Sequence, residues 1–307
     1  MNSKNKFSDS ISLIFFCASL ILIFLEYYEY ISENFLSTTA CLFLILTIGI
    51  SHGALDDIKG YKLLKFYQIK NKLLFYFSYI FIASLIVFLW IFLPTLMLIL
   101  FLIVAAYHFG KEDCWGGPIK KSILNPLKFF LKGSLVIWVP LWLNFNETLI
   151  IFDILGIKNK QFYIFLDMLN NNYLLLLLII VSLLSNILIT KNLKQLTGMF
   201  IDTIAIIVLY DAFSPLVAFT IYFCFLHSIR HSASLINELK INLNIFIKKA
   251  LPLTVLTTLI FLLALYNLTG FQEININNSI INVIFIGLAS LTFPHILLEY
   301  LIEKNEK

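Results

Sequence analysis

Charged residues are scarce in this sequence, which holds 18 Asp and Glu and 22 Lys and Arg among 307 residues. A soluble domain carries roughly a quarter charged residues, whereas the fraction here is 13%. Hydrophobic residues make up 60% of the chain, and the mean hydropathy is +0.91. The composition therefore excludes an ordinary soluble domain and indicates a protein that crosses the membrane several times.

Cysteine is also rare, and the four cysteines show neither metal-ligand spacing nor a disulfide pattern: Cys17, Cys41, Cys114 and Cys224. We interpret them as small packing residues. No small-residue cleavage site follows the first apolar run, so we expect a retained span rather than a signal peptide. There is no repeat or linker, and a single integral-membrane domain is expected over residues 1–307. The basic residues lie in short gaps between apolar runs, so no binding of nucleic acid is expected.

Long apolar runs are abundant, and a membrane-spanning helix needs about 20 mostly apolar residues. Ten segments of the sequence meet this requirement approximately: 11–30, 36–55, 73–93, 95–110, 127–144, 173–190, 198–211, 215–231, 251–268 and 280–301. We therefore predict an all-α fold, a polytopic membrane helix bundle of about ten transmembrane helices.

The positions of Lys and Arg predict the orientation of the bundle, because cytoplasmic loops carry an excess of these residues. If the N-terminus lies in the cytoplasm, 20 of the 22 basic residues fall in inside segments. Only Lys158 and Lys160 then lie outside. We expect both termini in the cytoplasm and the protein in the cell membrane.

The chain has only five histidines, and each lies late in an even-numbered span. Counted from the start of their spans they are the 17th, 14th, 13th, 17th and 16th residues: His52, His108, His227, His231 and His295. At about 1.5 Å of rise per residue, they occupy one layer about 6 Å deep. Ionisable side chains at such a depth face the bundle interior and mark functional sites.

A single metal centre explains this layer better than five unrelated placements. His227 and His231 are four residues apart, so an α-helix would project them from one face. A histidine-rich, thiolate-free set suits Fe, Cu, Ni or Zn and does not suit Mg or Ca. A metal-binding histidine usually donates its second ring N–H to a carboxylate or a carbonyl.

Three acidic residues follow the histidines closely enough to support them in this way: Asp56, Asp113 and Glu299. Gly53 and Gly110 are expected to permit close helix approach. Arg230, the only arginine, is expected to reach lipid phosphate or to cap the cytoplasmic face.

Four motifs occur in order: GISHGALD at 49–56, YHFGKED at 107–113, HSIRH at 227–231 and PH at 294–295. Together they resemble the Brp/Blh family of membrane β-carotene 15,15′-dioxygenases. The resemblance implies an all-helical enzyme that uses non-haem Fe(2+) and O₂ to split β-carotene into two retinal molecules. It also implies that retinal could supply a retinylidene protein in the same membrane.

The iron ligands of the family match His52, His108, His227 and His231, which the resemblance marks as catalytic. His295 is expected to be a fifth ligand or a partner of the ligands. Ser51 departs from the family, which often has proline at that position. Six aromatic residues beside the histidines are candidates for lining a carotenoid tunnel: Tyr107, Phe109, Tyr222, Phe223, Phe225 and Phe293.

The main alternative is a membrane metal-ion transporter that uses the same histidines. A transporter would place its ligands along a pathway through the midplane, commonly with carboxylates. The five histidines are too few for the histidine boxes of a di-iron desaturase. A haem carrier would leave several of them unexplained, and no lysine lies deep in a span to form the Schiff base of an opsin.

Overall fold

The computed structural model describes residues 3–114, 123–190 and 192–305, and it describes only the backbone of residues 3–9 and His52. Within these ranges the chain is helical and has no strand. Several of the helices are long and apolar enough to cross a membrane. The predicted all-α polytopic bundle is therefore confirmed.

Eight α-helices form the first half of the chain: α1 Ser3–Tyr27, α2 Thr38–Leu44, α3 Asp56–Phe66, α4 Leu73–Phe92, α5 Pro94–Glu112, α6 Asn125–Gly133, α7 Leu135–Leu143 and α8 Phe145–Ile154. Seven follow: α9 Lys160–Asn171, α10 Leu174–Ile189, α11 Leu193–Ala212, α12 Pro215–Tyr222, α13 Ile229–Leu239, α14 Leu243–Gly270 and α15 Ile276–Asn305. Proline begins α5 and α12, in the first turn where its missing N–H costs nothing. Asparagine side chains cap α9, α11 and α14.

Fewer helices than the ten predicted qualify as spans by length and composition. In the described part of the chain eight qualify, and a ninth is added if α9 and α10, bent by 74°, count as one broken span. The remaining predicted span, 215–231, falls short because His227, Arg230 and His231 make it less apolar. These polar residues are buried within the bundle.

Two π-helical turns interrupt the segments that carry histidines. The first, Ile45–Gly49, precedes a 3₁₀ helix, Ile50–Leu55. The second, Phe223–Ser228, joins α12 to α13. The two turns touch, because the Ser228 hydroxyl donates to the Gly49 carbonyl at 3.3 Å. A Cβ at Gly49 would overlap the Phe223 ring. The contact holds the two histidine-bearing segments together.

Helices α5 and α6 approach closely at a pair of glycines. A Cβ on Gly110 would overlap the Phe129 carbonyl, and a Cβ on Gly133 would overlap the Ala106 carbonyl. The close approach expected at Gly110 is thus present, as small residues permit in membrane bundles. At Gly53 an added Cβ would make only an ordinary contact, 3.9 Å from the Asp56 carboxylate.

The bundle has a buried centre and an exposed, apolar periphery. Helix α12 is buried along its length apart from Leu216. Helices α4 and α14 lie at the periphery, since only 11% and 6% of the residues in their most apolar stretches are buried. Helix α15 packs against both of these outer helices. The centre of the bundle therefore lies behind α15 and around α12, where the histidines occur.

Candidate metal centre

Four histidines from three separate helical segments meet in the interior. The His108 ring centroid lies 5.2 Å from that of His227 and 5.1 Å from that of His295. It lies 6.2 Å from the ring of His231, which is itself 5.5 Å from His295. All four side chains are buried. The shared layer counted along the sequence is therefore a spatial cluster for these four residues.

The fifth histidine, His52, has a side chain that lies outside the described residues. Its backbone belongs to the 3₁₀ helix Ile50–Leu55. That helix directly follows the first π turn, which touches the second π turn and hence the segment of His227.

In three of the histidines, one ring nitrogen, Nδ1, contacts a carboxylate. Nδ1 of His295 lies 2.8 Å and 3.0 Å from the two carboxylate oxygens of Asp56. Nδ1 of His231 lies 2.9 Å from Glu112. Nδ1 of His227 lies 3.4 Å from Asp113, which is a longer contact.

These contacts select the tautomer of each ring. An ionised carboxylate can only accept hydrogen bonds, so the neutral histidine carries its proton on Nδ1 and its lone pair on Nε2. The Nε2 atoms of His227, His231 and His295 are all buried. A carboxylate that holds Nδ1 while Nε2 binds a metal is the usual arrangement around protein-bound metals. The donor set therefore fits a transition metal that accepts imidazole.

The acidic residues named from the sequence do lie at the cluster, although their partners differ from the nearest histidine along the chain. Asp56 follows His52 by four residues, yet it binds His295 on α15. Asp113 follows His108 by five, yet it binds His227. Glu112 was missed, although its place four residues after His108 was an available signal.

Glu299 occupies a different position from the other acids. One of its oxygens is 3.9 Å from Nε2 of His295, the ring nitrogen that Asp56 does not contact. Ligand atoms of His108, His295 and Glu299 lie within 4.8 Å of one another, so this trio could hold a metal ion. Lys59 binds the same carboxylate at 2.8 Å and Lys111 approaches it to 3.8 Å. The two ammonium groups offset the charge of a buried carboxylate.

Asp113 begins the turn after α5 and connects the histidines to a second polar group. The Tyr222 hydroxyl donates to it at 2.7 Å. Burial would raise the pKa of Asp113, but the hydrogen bond with His227 and the nearby charges, those of Arg230 and Lys132 among them, lower it below its usual value. Asp113 is thus an ionised acceptor for His227 at neutral pH.

The expectation that Arg230 reaches lipid phosphate is wrong. Its side chain is only 2% exposed, and its guanidinium pairs with Asp202 at 2.8 Å. It also lies 3.7 Å from Asp113 and donates to the Ser12 hydroxyl at 2.9 Å. Arg230 points into the bundle because two buried carboxylates compensate its charge there.

A cavity of about 320 Å³ leads from the periphery to the histidines. His108, His227 and His295 line its inner end. Exposed residues of α4 and α14, including Ile80, Val87, Leu256 and Ile260, line its outer end. Of the six aromatic candidates, Phe109 and Phe223 line this cavity. The cavity therefore connects the exposed faces of α4 and α14 to the buried histidines.

Near the histidines the cavity wall includes Tyr79, which supports an acidic residue. The Tyr79 hydroxyl on α4 donates to Asp56 at 3.0 Å. Asp56 in turn holds Nδ1 of His295. The orientation of His295 is thus determined by a chain of two hydrogen bonds that begins on α4.

Comparison with known proteins gives a consistent result. The family model described as "Beta-carotene 15,15'-dioxygenase" matches residues 43–303. A curated protein of that name from uncultured marine bacterium 66A03 is 28% identical over 263 residues, which cover 84% of this chain and 90% of that protein. No solved structure matches the chain. The matched region contains all five histidines.

Proposed function

Because the chain belongs to the β-carotene 15,15′-dioxygenase family, we propose that it cleaves the central double bond of β-carotene with O₂ to give two molecules of retinal. The observation that carries this proposal is the cavity, which leads from the lipid-facing side of α4 and α14 to three buried histidines. The reaction balances with no further reductant, since each oxygen atom of O₂ becomes the aldehyde oxygen of one retinal.

We propose that the metal is Fe(2+) and that His52, His108, His227 and His231 hold it, with His295 as a fifth ligand or a partner. Imidazole nitrogen suits iron, and a set of neutral histidines leaves the ion its positive charge. Bound iron would supply the activation of O₂ beside the polyene. The carboxylates that hold Nδ1 of His227, His231 and His295 support this assignment, because they fix the ring orientations.

In this reaction the protein would bury the carotenoid and orient it beside the metal. β-Carotene has no polar group, so its binding depends on shape, on van der Waals packing and on aromatic contacts. Phe109 lies 4.7 Å from the His227 ring and lines the cavity. A polyene that passes Phe109 would therefore run directly beside the histidine cluster. Entry from the bilayer would spare the substrate any transfer through water.

The setting of the enzyme is proposed on the same basis. The long apolar helices make the chain a multi-pass membrane protein, and we propose the cell membrane as its location. Retinal released there could pass to a retinylidene protein in the same bilayer. The metal-transporter alternative is not favoured, because the family match and the curated relative both name an oxygenase.

The test is expression in bacterial cells that accumulate β-carotene, followed by chromatography of the pigments with and without air. Retinal should appear and carotene should bleach only with air. Apocarotenals of unequal length would contradict central cleavage, and carotene that stays intact with iron and air supplied would contradict the oxygenase assignment.

Metal content provides an independent measurement. Purified protein should hold about one iron per chain, and His108→Ala should lose both iron and cleavage. Glu303→Gln is the control, since Glu303 lies at the surface end of α15 and pairs with Lys111. If His108→Ala kept its iron, the ligand assignment would fail even where cleavage was lost.

A further inference from the structure

A second cavity of about 80 Å³ adjoins the first. Its walls come from α5, α7, α8, α11, α12 and α15, and they include Leu102, Ala105, Thr148 and Ile151. Three phenylalanines, Phe101, Phe109 and Phe219, line both cavities. We call these three residues the phenylalanine partition.

The phenylalanine partition adjoins the histidine cluster. The Phe109 ring lies 4.7 Å from that of His227 and 6.1 Å from that of His108. Phe219 stacks on Phe223 at 5.5 Å, and Phe223 stacks on His227 at 5.7 Å. The phenylalanine partition therefore separates the second cavity from the part of the first cavity that the histidines line.

The lining of the second cavity suits a hydrocarbon. Its lining is aliphatic and aromatic apart from the hydroxyls of Thr148 and Tyr210. The Thr148 hydroxyl lies 3.1 Å from the Pro140 carbonyl and 2.9 Å from the Asn144 carbonyl, so it is satisfied within the protein. A chain of CH groups could therefore lie beside Thr148 without leaving its hydroxyl unpaired.

We propose that the second cavity receives the distal half of the carotenoid, with the phenylalanine partition turning aside to let it pass. This inference rests on the proposed function. β-Carotene is symmetric, so a central cut requires that equal lengths of polyene extend on both sides of the metal. The first cavity accommodates one half. The other half must continue past the histidines, and the second cavity offers it an apolar space beyond the phenylalanine partition.

The decisive variants add bulk to the second cavity. Leu102→Phe and Ala105→Leu both place extra carbon atoms in its wall on α5. Each variant should lower kcat/KM for β-carotene at least about tenfold, as occurs when a pocket loses room for part of a substrate. A one-ring carotenoid aldehyde, truncated on one side of the central bond, should lose much less, because its short arm needs little of this space.

Leu100→Phe is the matched control for Leu102→Phe. Leu100 lies on the same helix, is 39% exposed and lines neither cavity. This variant should process both substrates like the unchanged protein. Thermal unfolding and iron content report whether each variant is folded. Two different filling variants are used so that the test still holds if one of them does not fold.

Binding without turnover gives a second measurement. Under nitrogen, titration of the iron-loaded protein with β-carotene, followed by the absorbance of the polyene, should show weaker binding to the filled variants. If both filling variants bound and cleaved β-carotene as well as the unchanged protein, the second cavity would be a packing void and the proposal would be overturned. The unchanged protein would still produce retinal in that case, so the proposed function would stand.

Discussion

Arg230 and Asp202 form an ion pair of 2.8 Å in the interior of the bundle, with side chains only 2% and 4% exposed. The pair links α13 to α11, and the Ser12 hydroxyl connects it to α1. Through its contact with Asp113, the same guanidinium reaches the residue that holds His227. A buried arginine on the far side of the histidines thus joins three helices to the candidate metal centre.

Replacing Arg230 should therefore destabilise the protein strongly. We expect Arg230→Gln to lower the free energy of unfolding by about 3–5 kcal/mol, because it leaves buried carboxylates without their cation. Unfolding in detergent measures this change. Lys158→Gln is the control, since the Lys158–Asp153 pair is exposed on the surface, and its loss should cost at most about 1 kcal/mol.

A double variant separates charge pairing from packing. Asp202→Asn combined with Arg230→Gln removes both members of the ion pair. The double variant should be less destabilised than the sum of the two single variants, because paired residues are not additive. Simple addition of the two effects would show that the two residues are not coupled.

Asp56→Asn should weaken metal binding while leaving the fold intact. The amide can no longer act as a charged acceptor for Nδ1 of His295, and loss of such a partner typically costs about 10–100-fold in metal affinity or activity. Competition with a chelator measures the affinity for iron.

The adjacent residue provides the control for Asp56. Asp57 accepts hydrogen bonds from its neighbour Ile58 and from Tyr76 at 3.5 Å, and among the described side chains it binds no histidine. Asp57→Asn should keep the iron affinity of the unchanged protein. Equal losses in both variants would point to a general charge effect rather than to the orientation of His295.

Gly110→Ala should destabilise the bundle, because the new methyl group would overlap the Phe129 carbonyl. Overpacking of this kind costs about 1–3 kcal/mol and occasionally more. Gly198→Ala is the matched change on α11, where the nearest atom to the added Cβ is the Ser12 hydroxyl at 3.9 Å. That variant should be neutral or more stable by about 0.5–1 kcal/mol, since alanine favours a helix. Thermal unfolding of the two proteins in the same detergent decides the comparison.

The orientation of the chain in the membrane depends on the segment from Pro215 to Leu239. If this segment crosses the bilayer, reporter fusions after Phe213 and after Lys240 should lie on opposite sides, with the second inside. A fusion after Lys70, between α3 and α4, should also report the cytoplasm. Two fusions on the same side at Phe213 and Lys240 would refute ten crossings and place the termini on opposite sides of the membrane.

The class of fold and the common depth of the histidines could be predicted from the sequence. Both follow from counting residues along each apolar run. Apolar length identifies spans, and depth along a span follows from a fixed rise per residue. These rules give the layer in which His108, His227, His231 and His295 lie. They give no information about which helices are neighbours, so the contact between Asp56 and His295 could not be predicted.

The partners of Arg230 could not be predicted from the sequence for a related reason. Asp202 lies on a different helix, and no i, i+4 relationship links the two residues along the chain. The lone arginine near the end of an apolar run therefore indicated a surface position. The predicted span 215–231 does not qualify by length and composition, because polar residues such as His227 and Arg230 reduce the apolar character of this buried segment.

The two π turns, Ile45–Gly49 and Phe223–Ser228, have a consequence for how this protein can change over evolutionary time. A π turn behaves as a one-residue insertion in an α-helix and is frequent at functional sites. Deletion of a single residue from Phe223–Ser228 would restore regular α-helical winding, so the residues of the turn, His227 among them, would change direction relative to the helices on either side. Relatives that keep this centre must therefore conserve the number of residues in these turns more strictly than the residues themselves.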